Sequence, residues 1–122
     1  MGYKKAELTG EIINCAFEVH NELGFGFLEK VYENALYKEL KDRGFKVKKQ
    51  PPIKVFYKDE IVGKYFCDLI VDDKIIIELK SVETMENIHE VQLVNYLNAI
   101  DKELGLLINF GKSVEVKRKY KN

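Results

Sequence analysis

The chain has 122 residues, of which 46% are hydrophobic and 33% are charged, and this composition is that of a folded globule and excludes a disordered tail. The length is enough for one domain with its own core, so we expect residues 1–122 to form a single domain. Twenty basic and twenty acidic residues cancel, which excludes nucleic-acid binding through overall charge and leaves only a local basic patch for that role.

The sequence predicts a cytoplasmic protein that does not enter a membrane. No apolar run approaches the roughly 20 residues that a bilayer span needs, and the first segment, MGYKKAELTGE, lacks the apolar core of a signal peptide. The two cysteines, Cys15 and Cys67, form no CxxC motif and lie in apolar surroundings, which favours buried, reduced thiols.

Two amphipathic helices are predicted in the first third of the chain. Apolar residues recur at three- and four-residue steps over residues 5–23 and again over about 28–43, and Gly24 and Gly44 end the two helices. In the second helix, the residues that we expect to face the core are Leu28, Val31, Tyr32, Ala35, Leu36 and Leu40.

The rest of the chain is predicted to form strands around one further helix. Strands are expected at 45–50, 53–57, 61–71 and 75–80, then an interior strand at 104–110, reached by a helical crossover, and an edge strand at 113–120. The helix covers about 87–101, and Asn87 with Glu90 fits a capping pair. The residues expected to face the sheet from this helix are Ile88, Val91, Val94, Leu97 and Ile100.

Residues 65–80, YFCDLIVDDKIIIELK, form the most informative stretch, because Asp68, Glu78 and Lys80 are set among apolar residues of two strands. Such strands are usually buried on both faces, where a charged side chain is rare unless it is paired or bound. Alternation places Glu78 and Lys80 on one face. Asp68 joins them only if the turn spans residues 72–74 or a bulge intervenes, because a two-residue turn sends its carboxylate to the opposite face. We predict the three-residue turn or a bulge.

These side chains predict a metal site. Their oxygen ligands favour Mg²⁺ or Mn²⁺ over zinc, since no His/Cys set occurs at metal-ligand spacing. Such an ion polarises a phosphoryl oxygen, and Lys80 would orient the attacking water or stabilise developing charge. The alternative is a structural ion-pair cluster, because an Asp…Glu-x-Lys pattern is degenerate.

Further polar residues recur at helical spacing in two groups: His89, Gln92 and Tyr96 in the last helix, and Gly26, Glu29 and Tyr32 at the start of the second. Each group alone is also explained by a polar helix flank, a first-turn acid or a core aromatic.

Taken together, the motifs resemble the GxxExxY family of the PD-(D/E)XK nuclease superfamily. The matching stretches, in order over about residues 7–116, are 26–32 (GFLEKVY), Asp68, 78–80 (ELK), 92–96 (QLVNY) and 108–111 (INFG). The resemblance implies an α/β (α+β) fold with a restriction-endonuclease-like core of αβββαβ topology. In that fold a central mixed sheet is flanked by helices, here with an extra N-terminal helix.

The resemblance also implies a role for each matching residue. Cys67 stands where the superfamily's name has a proline. The implied roles are catalysis for Asp68, Glu78, Lys80 and Gln92, metal binding for Asp68, Glu78 and Glu29, and lining of the cleft for Tyr32, Tyr96 and His89.

A nucleic-acid partner would use a local basic patch. Lys46, Lys48 and Lys49 lie together in the sequence and could neutralise phosphates, as could the basic residues of 117–121. The alternative is a solvated surface whose charge is cancelled by interleaved acids. No aromatic-rich platform for a single strand stands out in the sequence, although Tyr3, Tyr57 and Tyr65 are candidates for stacking on unpaired bases.

Three functional hypotheses follow from the sequence. The first is a Mg²⁺-dependent nuclease that hydrolyses phosphodiester bonds of DNA or RNA. The second is a catalytically silent nucleic-acid-binding or regulatory module with the same fold, and the third is a structural homodimer. A chain with one cleft would cut both strands of a duplex only as a two-fold dimer.

Overall fold

A computed structural model describes residues 5–122, so Tyr3 and the first residues of the N-terminal segment lie outside the described part. In chain order the elements are α1 (Lys5–Leu23), α2 (Glu29–Asp42), β1 (Val47–Lys49), β2 (Pro52–Tyr57), β3 (Glu60–Phe66), β4 (Leu69–Val71), β5 (Ile75–Lys80), α3 (Asn87–Ile100), β6 (Leu104–Phe110) and β7 (Val114–Tyr120).

Five strands form a central mixed sheet in the order β1-β4-β5-β6-β7, and β2 and β3 form a separate two-stranded hairpin. The strands β5 and β6 are parallel, while the other neighbours in the sheet are antiparallel. A parallel pair needs a crossover, and α3 supplies it. The predicted α/β fold, with a mixed sheet flanked by helices, is confirmed.

The sheet is covered on both faces. On β5, Ile75, Ile77 and Leu79 pack in the cluster that includes the buried residues of α1 and α2. Ile76 instead packs in a second cluster with α3 and with Ile53 of the hairpin. Because side chains alternate along a strand, Glu78 and Lys80 share the direction of Ile76 and point toward the α3 side.

The turn between β4 and β5 decides where Asp68 lies. Val71 pairs with Ile75 and Leu69 with Ile77, so three residues, 72–74, make the connection, as predicted. Asp72 and Asp73 adopt positive φ angles of 52° and 55°, which aspartate tolerates better than most residues. The carboxylate of Asp68 is thereby placed in phase with Glu78.

The strand predicted over residues 61–71 is two strands, and this prediction was wrong. The strand β3 ends at Phe66 and belongs to the hairpin, whereas β4 begins at Leu69 in the central sheet. Between them the chain changes partners, since the Cys67 amide donates to the Pro51 carbonyl at 3.2 Å and the Gln50 amide donates to the Asp68 carbonyl at 2.8 Å. Asp68 therefore lies where the chain passes from the hairpin to the central sheet.

The inner faces of two helices were predicted only in part. In α2, Leu28 is 81% exposed and Val31 is 37% exposed, while Leu36 and Leu40 are buried as predicted. Hydrophobic residues near a helix start can remain outside the core when only the later turns pack against another element, and here Leu28 precedes the first helical residue.

In α3 the buried residues are Leu93, Tyr96 and Leu97, while Ile88 and Val91 are exposed. The helix packs closely on β6 at Gly105, where an added Cβ would lie 2.8 Å from Leu93 Cδ1. That contact holds α3 in a rotation that leaves Ile88 and Val91 of the predicted face exposed, whereas Leu97 is buried as predicted. The N-cap of α3 is Glu86, one residue before the predicted Asn87. The backbone amide of Glu86 donates a hydrogen bond to His89 Nδ1 at 3.4 Å.

Both cysteines are buried and free. Burial raises the pKa of the Cys15 thiol to about 11 and that of Cys67 to about 12, so both stay protonated and unreactive. None of the helices within residues 5–122 has the length and apolar character needed to cross a bilayer.

Candidate active site beside the ends of two central strands

Asp68 and Glu78 are joined by a reciprocal pair of hydrogen bonds. The Asp68 amide donates to Glu78 Oε1 at 2.9 Å, and the Leu79 amide donates to Asp68 Oδ2 at 2.7 Å. The regular β4–β5 pairing stops at Leu69 and Ile77, so these side chains continue the connection where the backbone ladder ends. The two carboxyl groups are therefore held close together by the backbone itself.

Burial disfavours the ionised forms of both Asp68 and Glu78. Burial, followed by the charge of Asp68, raises the pKa of Glu78 to about 8. Burial also raises the pKa of Asp68, and the hydrogen bond from the Leu79 amide opposes this by lowering the pKa. Lys80 lies near enough to lower both values. At neutral pH Glu78 is therefore largely protonated, and a cation would favour its ionised form.

Glu29, at the start of α2, is a third acid of the site. Burial and then the charge of Asp68 raise its pKa, and the charge of Lys80 opposes them. An acid in the first turn of a helix is ordinary in sequence. The structure shows that this one lies within electrostatic reach of the ends of β4 and β5.

Sequence reasoning missed two residues that support Asp68, namely Glu33 and Gln50. Glu33 is only 2% exposed, and both of its carboxylate oxygens accept hydrogen bonds from Gln50 Nε2, at 3.1 and 3.2 Å. The same nitrogen lies 3.4 Å from Asp68 Oδ1. Gln50 has a positive φ of 52°, a conformation that is strained for glutamine and often marks a functional constraint.

The sequence contained a signal for Glu33 but none for Gln50. Glu33 follows Glu29 by four residues and lies between the core residues Tyr32 and Leu36, so an acid shares the apolar face of α2. Gln50 is an ordinary polar residue before Pro51, and its left-handed backbone has no signature in the sequence.

Lys80 leads from the carboxylates to an open groove of about 1010 Å³ between α3 and the β2–β3 hairpin. The predicted residues Gln92, Tyr96 and His89 also line this groove. Burial and the charge of Glu78 raise the pKa of Tyr96 to about 12, so its phenol keeps its proton and can donate a hydrogen bond. The structure thus brings four of the predicted residues to one groove beside Asp68 and Glu78.

Tyr32 is not brought to this groove. It is fully buried, its ring stacks on Phe110 at 4.6 Å between centroids, and its hydroxyl donates to the Gly24 carbonyl at 2.6 Å. The Phe27 amide lies 3.3 Å from the same oxygen. Tyr32 therefore fixes the loop before α2. The prediction that it lines the cleft was wrong.

The three lysines proposed for nucleic acid lie at the edge strand β1 and do not form one surface. Lys48 and Lys49 are successive residues, so their side chains point to opposite faces. Lys49 Nζ donates to Asn34 Oδ1 of α2 at 2.6 Å and lies 4.7 Å from the Tyr37 ring centroid. Lys46 and Lys48 are exposed.

The donor set fits a hard divalent cation. Within residues 5–122 no three His, Cys, Asp or Glu side chains are grouped as a ready metal cage. Mg²⁺ does not need one, since it is usually bound by one or two carboxylates together with waters and substrate phosphates. Asp68 and Glu78 supply two carboxyl groups. Burial raises the pKa of both, and a bound cation would favour their ionised forms.

Comparison with known proteins agrees with this geometry. A family model described as the PD-(D/E)XK nuclease superfamily matches residues 6–121. No curated protein has significant sequence similarity to the chain.

Two solved structures share the fold. The crystal structure of SSO0001 superposes with a TM-score of 0.61 at 20% identity, over 76% of this chain and 50% of that chain. The alkaline exonuclease LHK-Exo from Laribacter hongkongensis superposes with a TM-score of 0.56 at 11% identity, over 100% of this chain and 73% of that chain. The chain thus spans about half the length of SSO0001, and at these identities the similarity shows the fold alone.

Proposed function

Because the chain belongs to the PD-(D/E)XK nuclease superfamily, we propose that it is a Mg²⁺-dependent nuclease that hydrolyses phosphodiester bonds of DNA or RNA. The observation that carries this proposal is the reciprocal hydrogen bonding of Asp68 and Glu78, with Lys80 beside them at the edge of an open groove. A structural ion-pair cluster would not need a groove of this size next to it.

In this proposal Asp68 and Glu78 hold the metal ion, and Glu29 is placed to complete its surroundings. Members of the superfamily generally use divalent metal ions, and the carboxylate ligands favour Mg²⁺, or Mn²⁺, over softer metals. When bound, such an ion polarises a phosphoryl oxygen and lowers the pKa of bound water.

The remaining residues position the substrate and the attacking water. Lys80 is a cation at the border of the groove and the carboxylates, so it can orient the water and stabilise charge that develops on the phosphate. The amide of Gln92 and the protonated phenol of Tyr96 line the same groove, where they can donate hydrogen bonds to phosphate or sugar oxygens. Glu33 and Gln50 keep Asp68 in position.

Within the superfamily we assign the chain to the GxxExxY family, and the local structure supports this assignment. Gly26 adopts a φ of +107°, which other residues rarely do. Tyr32 ties down the loop that contains it. Glu29 lies between them in sequence and within electrostatic reach of Asp68 and Lys80, which supports a common role for the three motif residues in presenting an acid.

Exposed lysines complete the proposed substrate contacts. Lys46 precedes β1 and Lys48 lies on it, in the segment that leads to Gln50, and we assign both lysines to backbone phosphates. The chain has one such cleft among its described residues, so cleavage of both strands of a duplex would need two copies of the chain.

A cleavage assay tests this function. Purified protein is incubated with single-stranded, duplex and branched DNA and with RNA, in Mg²⁺ or in EDTA. We expect Mg²⁺-dependent cleavage of at least one substrate, and a loss of about 10²–10⁴-fold in Lys80→Ala, as for removal of a positioned acid–base or charged group. The control Lys74→Ala changes an exposed turn lysine and should cut like the wild type.

Two outcomes of the assay contradict the proposal. If no substrate is cut while nucleic acid still binds, the chain is a silent binding module. If Lys80→Ala cuts as fast as Lys74→Ala, the activity comes from elsewhere.

A further inference from the structure

The groove beside Lys80 has two chemically different walls. One wall is the exposed side of α3, where the polar residues His89, Gln92, Asn95 and Asn98 lie among the apolar residues Ile88, Val91 and Ala99. The other is the apolar and aromatic surface of the hairpin, formed by Val55, Phe56, Val62 and Tyr65. The floor near the site is Tyr96, so the groove runs from the carboxylates along the side of α3.

Much of this apolar surface is exposed. Phe56 is 59% exposed, Tyr65 is 49% and Ile88 of α3 is 61%. Contiguous apolar patches of this kind on a folded protein commonly mark a binding surface. Ile88 and Val91, two of the five α3 residues that were expected to face the sheet, instead line the groove and extend this patch.

Two aromatic side chains of the hairpin, Phe56 and Tyr65, present exposed ring surface to the groove. The ring of Tyr65 faces that of Tyr96 with centroids 5.7 Å apart and planes inclined by 38°. Lys80 is the lysine among the residues that line the groove. Exposed aromatic rings and a lysine are the two kinds of partner that a single strand needs, since the rings stack on bases and the lysine pairs with a phosphate.

We propose that this groove binds unpaired nucleotides, with bases stacked on Tyr65 and Phe56 and the strand led toward Lys80. The inference extends the proposed nuclease function by naming its substrate class as single-stranded nucleic acid or an unpaired segment of it. The amides of α3 face the same space and can hydrogen-bond to the edges of bases that are not paired.

A duplex does not satisfy the same surface. In a duplex each base face is covered by its neighbours, so the exposed rings would gain no stacking, and binding would rest on phosphate contacts alone. The groove is a poor source of such contacts, because Lys80 is the one lysine among the described residues that line it. The aromatic wall therefore favours the unpaired strand.

A binding assay without cleavage tests the groove separately from catalysis. Fluorescence anisotropy in EDTA compares a labelled single strand of about 12 nucleotides, as DNA and as RNA, with a closed hairpin duplex of matching composition. We expect at least one single strand to bind more tightly than the duplex by about fivefold or more, the factor for one stacked base. Tyr65→Ala should weaken single-strand binding by about 5- to 100-fold, whereas Tyr65→Phe retains it.

Matched variants separate stacking from unfolding. Tyr120→Ala removes an exposed tyrosine that lies outside the groove, and this control variant should bind nucleic acid like the wild type. Phe56→Ala repeats the test at the second ring of the groove. Circular dichroism shows that each variant is folded.

Equal affinity for single strand and duplex, or wild-type binding by both groove variants, overturns the proposal. Self-association that Tyr65→Ala abolishes, without nucleic-acid binding, would instead assign the groove to a second copy of the chain. Tight single-strand binding by a protein that cuts nothing would support the groove and contradict the nuclease. Cleavage of single strands and duplexes at equal rates, unchanged in Tyr65→Ala, would support the nuclease and contradict the groove.

Discussion

Asp68 and Glu78 each accept a hydrogen bond from the backbone of the other's strand. A carboxylate bonded to an amide normally ionises more easily, but here burial dominates and both pKa values are raised. The bonds therefore fix the geometry of the two carboxyl groups, and a bound cation would favour their ionised forms. A preorganised pair of this kind suits a site that must bind a metal ion reversibly.

The raised pKa of Glu78 predicts a pH-dependent stability for the metal-free protein. An acid whose pKa rises on folding binds more protons when folded, so the free energy of unfolding should fall as the pH rises from 4.5 to about 8 and level off above that. Glu78→Gln keeps an oxygen acceptor for the Asp68 amide and should flatten this dependence. Thermal or urea unfolding across the pH range measures it.

The matched control for that experiment is Glu22→Gln, which changes an exposed acid of α1 and should keep the wild-type pH dependence. Stability that rises with pH over the same interval in the metal-free wild type would contradict the assigned charge state of the pair.

Gln50 offers a second test at the level of single residues. Gln50→Ala removes the donor to buried Glu33 and to Asp68, so the free energy of unfolding should fall by about 1–3 kcal/mol. Divalent-cation affinity should fall by about 10- to 100-fold, as when partners that orient a metal ligand are removed. Calorimetric titration with Mn²⁺ and urea unfolding measure the two effects.

Gln50→Gly is the control for the backbone, since glycine adopts the positive φ without strain. It should recover part of the stability but none of the cation affinity. Wild-type affinity in both variants would show that Gln50 does not position Asp68.

Sequence reasoning succeeded where a residue's role depends on alternation along one strand. Glu78 and Lys80 were placed on one face by parity, and Asp68 followed from the length of a single turn. Gln50 could not be found this way, because its role depends on a left-handed backbone and on contacts with α2, both of which arise only in the folded chain. Tyr32 was assigned to the cleft by its motif, but a buried position in the core satisfies the same motif.

At the scale of elements, the close packing of α3 on β6 fixes the polar wall of the groove. The packing depends on Gly105, which leaves room for Leu93. Period-3.6 patterning identified α3 correctly and placed Leu97 in the core, yet it could not show that Ile88 and Val91 face the groove. The change of partner between β3 and β4 was similarly hidden, because residues 61–71 form a nearly continuous strand pattern.

Gly105→Ala tests this packing. The added methyl group would lie 2.8 Å from Leu93 Cδ1, and overpacking of a core typically costs about 1–3 kcal/mol. Urea unfolding should show this loss. The cost should be smaller in the background of Leu93→Ala, since coupled neighbours are not additive.

Gly10→Ala is the comparison, because its Cβ would meet no atom within 4 Å inside α1. It should stabilise the protein by about 0.5–1 kcal/mol. A Gly105→Ala variant as stable as Gly10→Ala would mean that α3 does not pack as closely as described.

At the scale of the whole molecule, balanced charge leaves substrate attraction to local groups. If Lys46 and Lys48 neutralise phosphates of a single strand, the double variant Lys46→Ala/Lys48→Ala should reduce the slope of log affinity against log salt by about 0.7 for each phosphate that is no longer neutralised. Anisotropy titrations at several salt concentrations measure the slope. Lys117→Ala, in the basic end of β7, serves as the control, and an equal reduction there would assign the phosphates to that strand instead.

Asp68 and Glu78 form the proposed divalent-cation site. Calorimetric titration of the chain with Mg²⁺ and Mn²⁺ measures whether they bind the ion. We predict that the wild type binds the ion with an affinity that rises as the pH approaches about 8, because binding must displace a proton. Asp68→Asn and Glu78→Gln should each weaken binding by at least about tenfold. Binding that is independent of pH and unchanged in both variants would place the ion elsewhere and contradict this assignment.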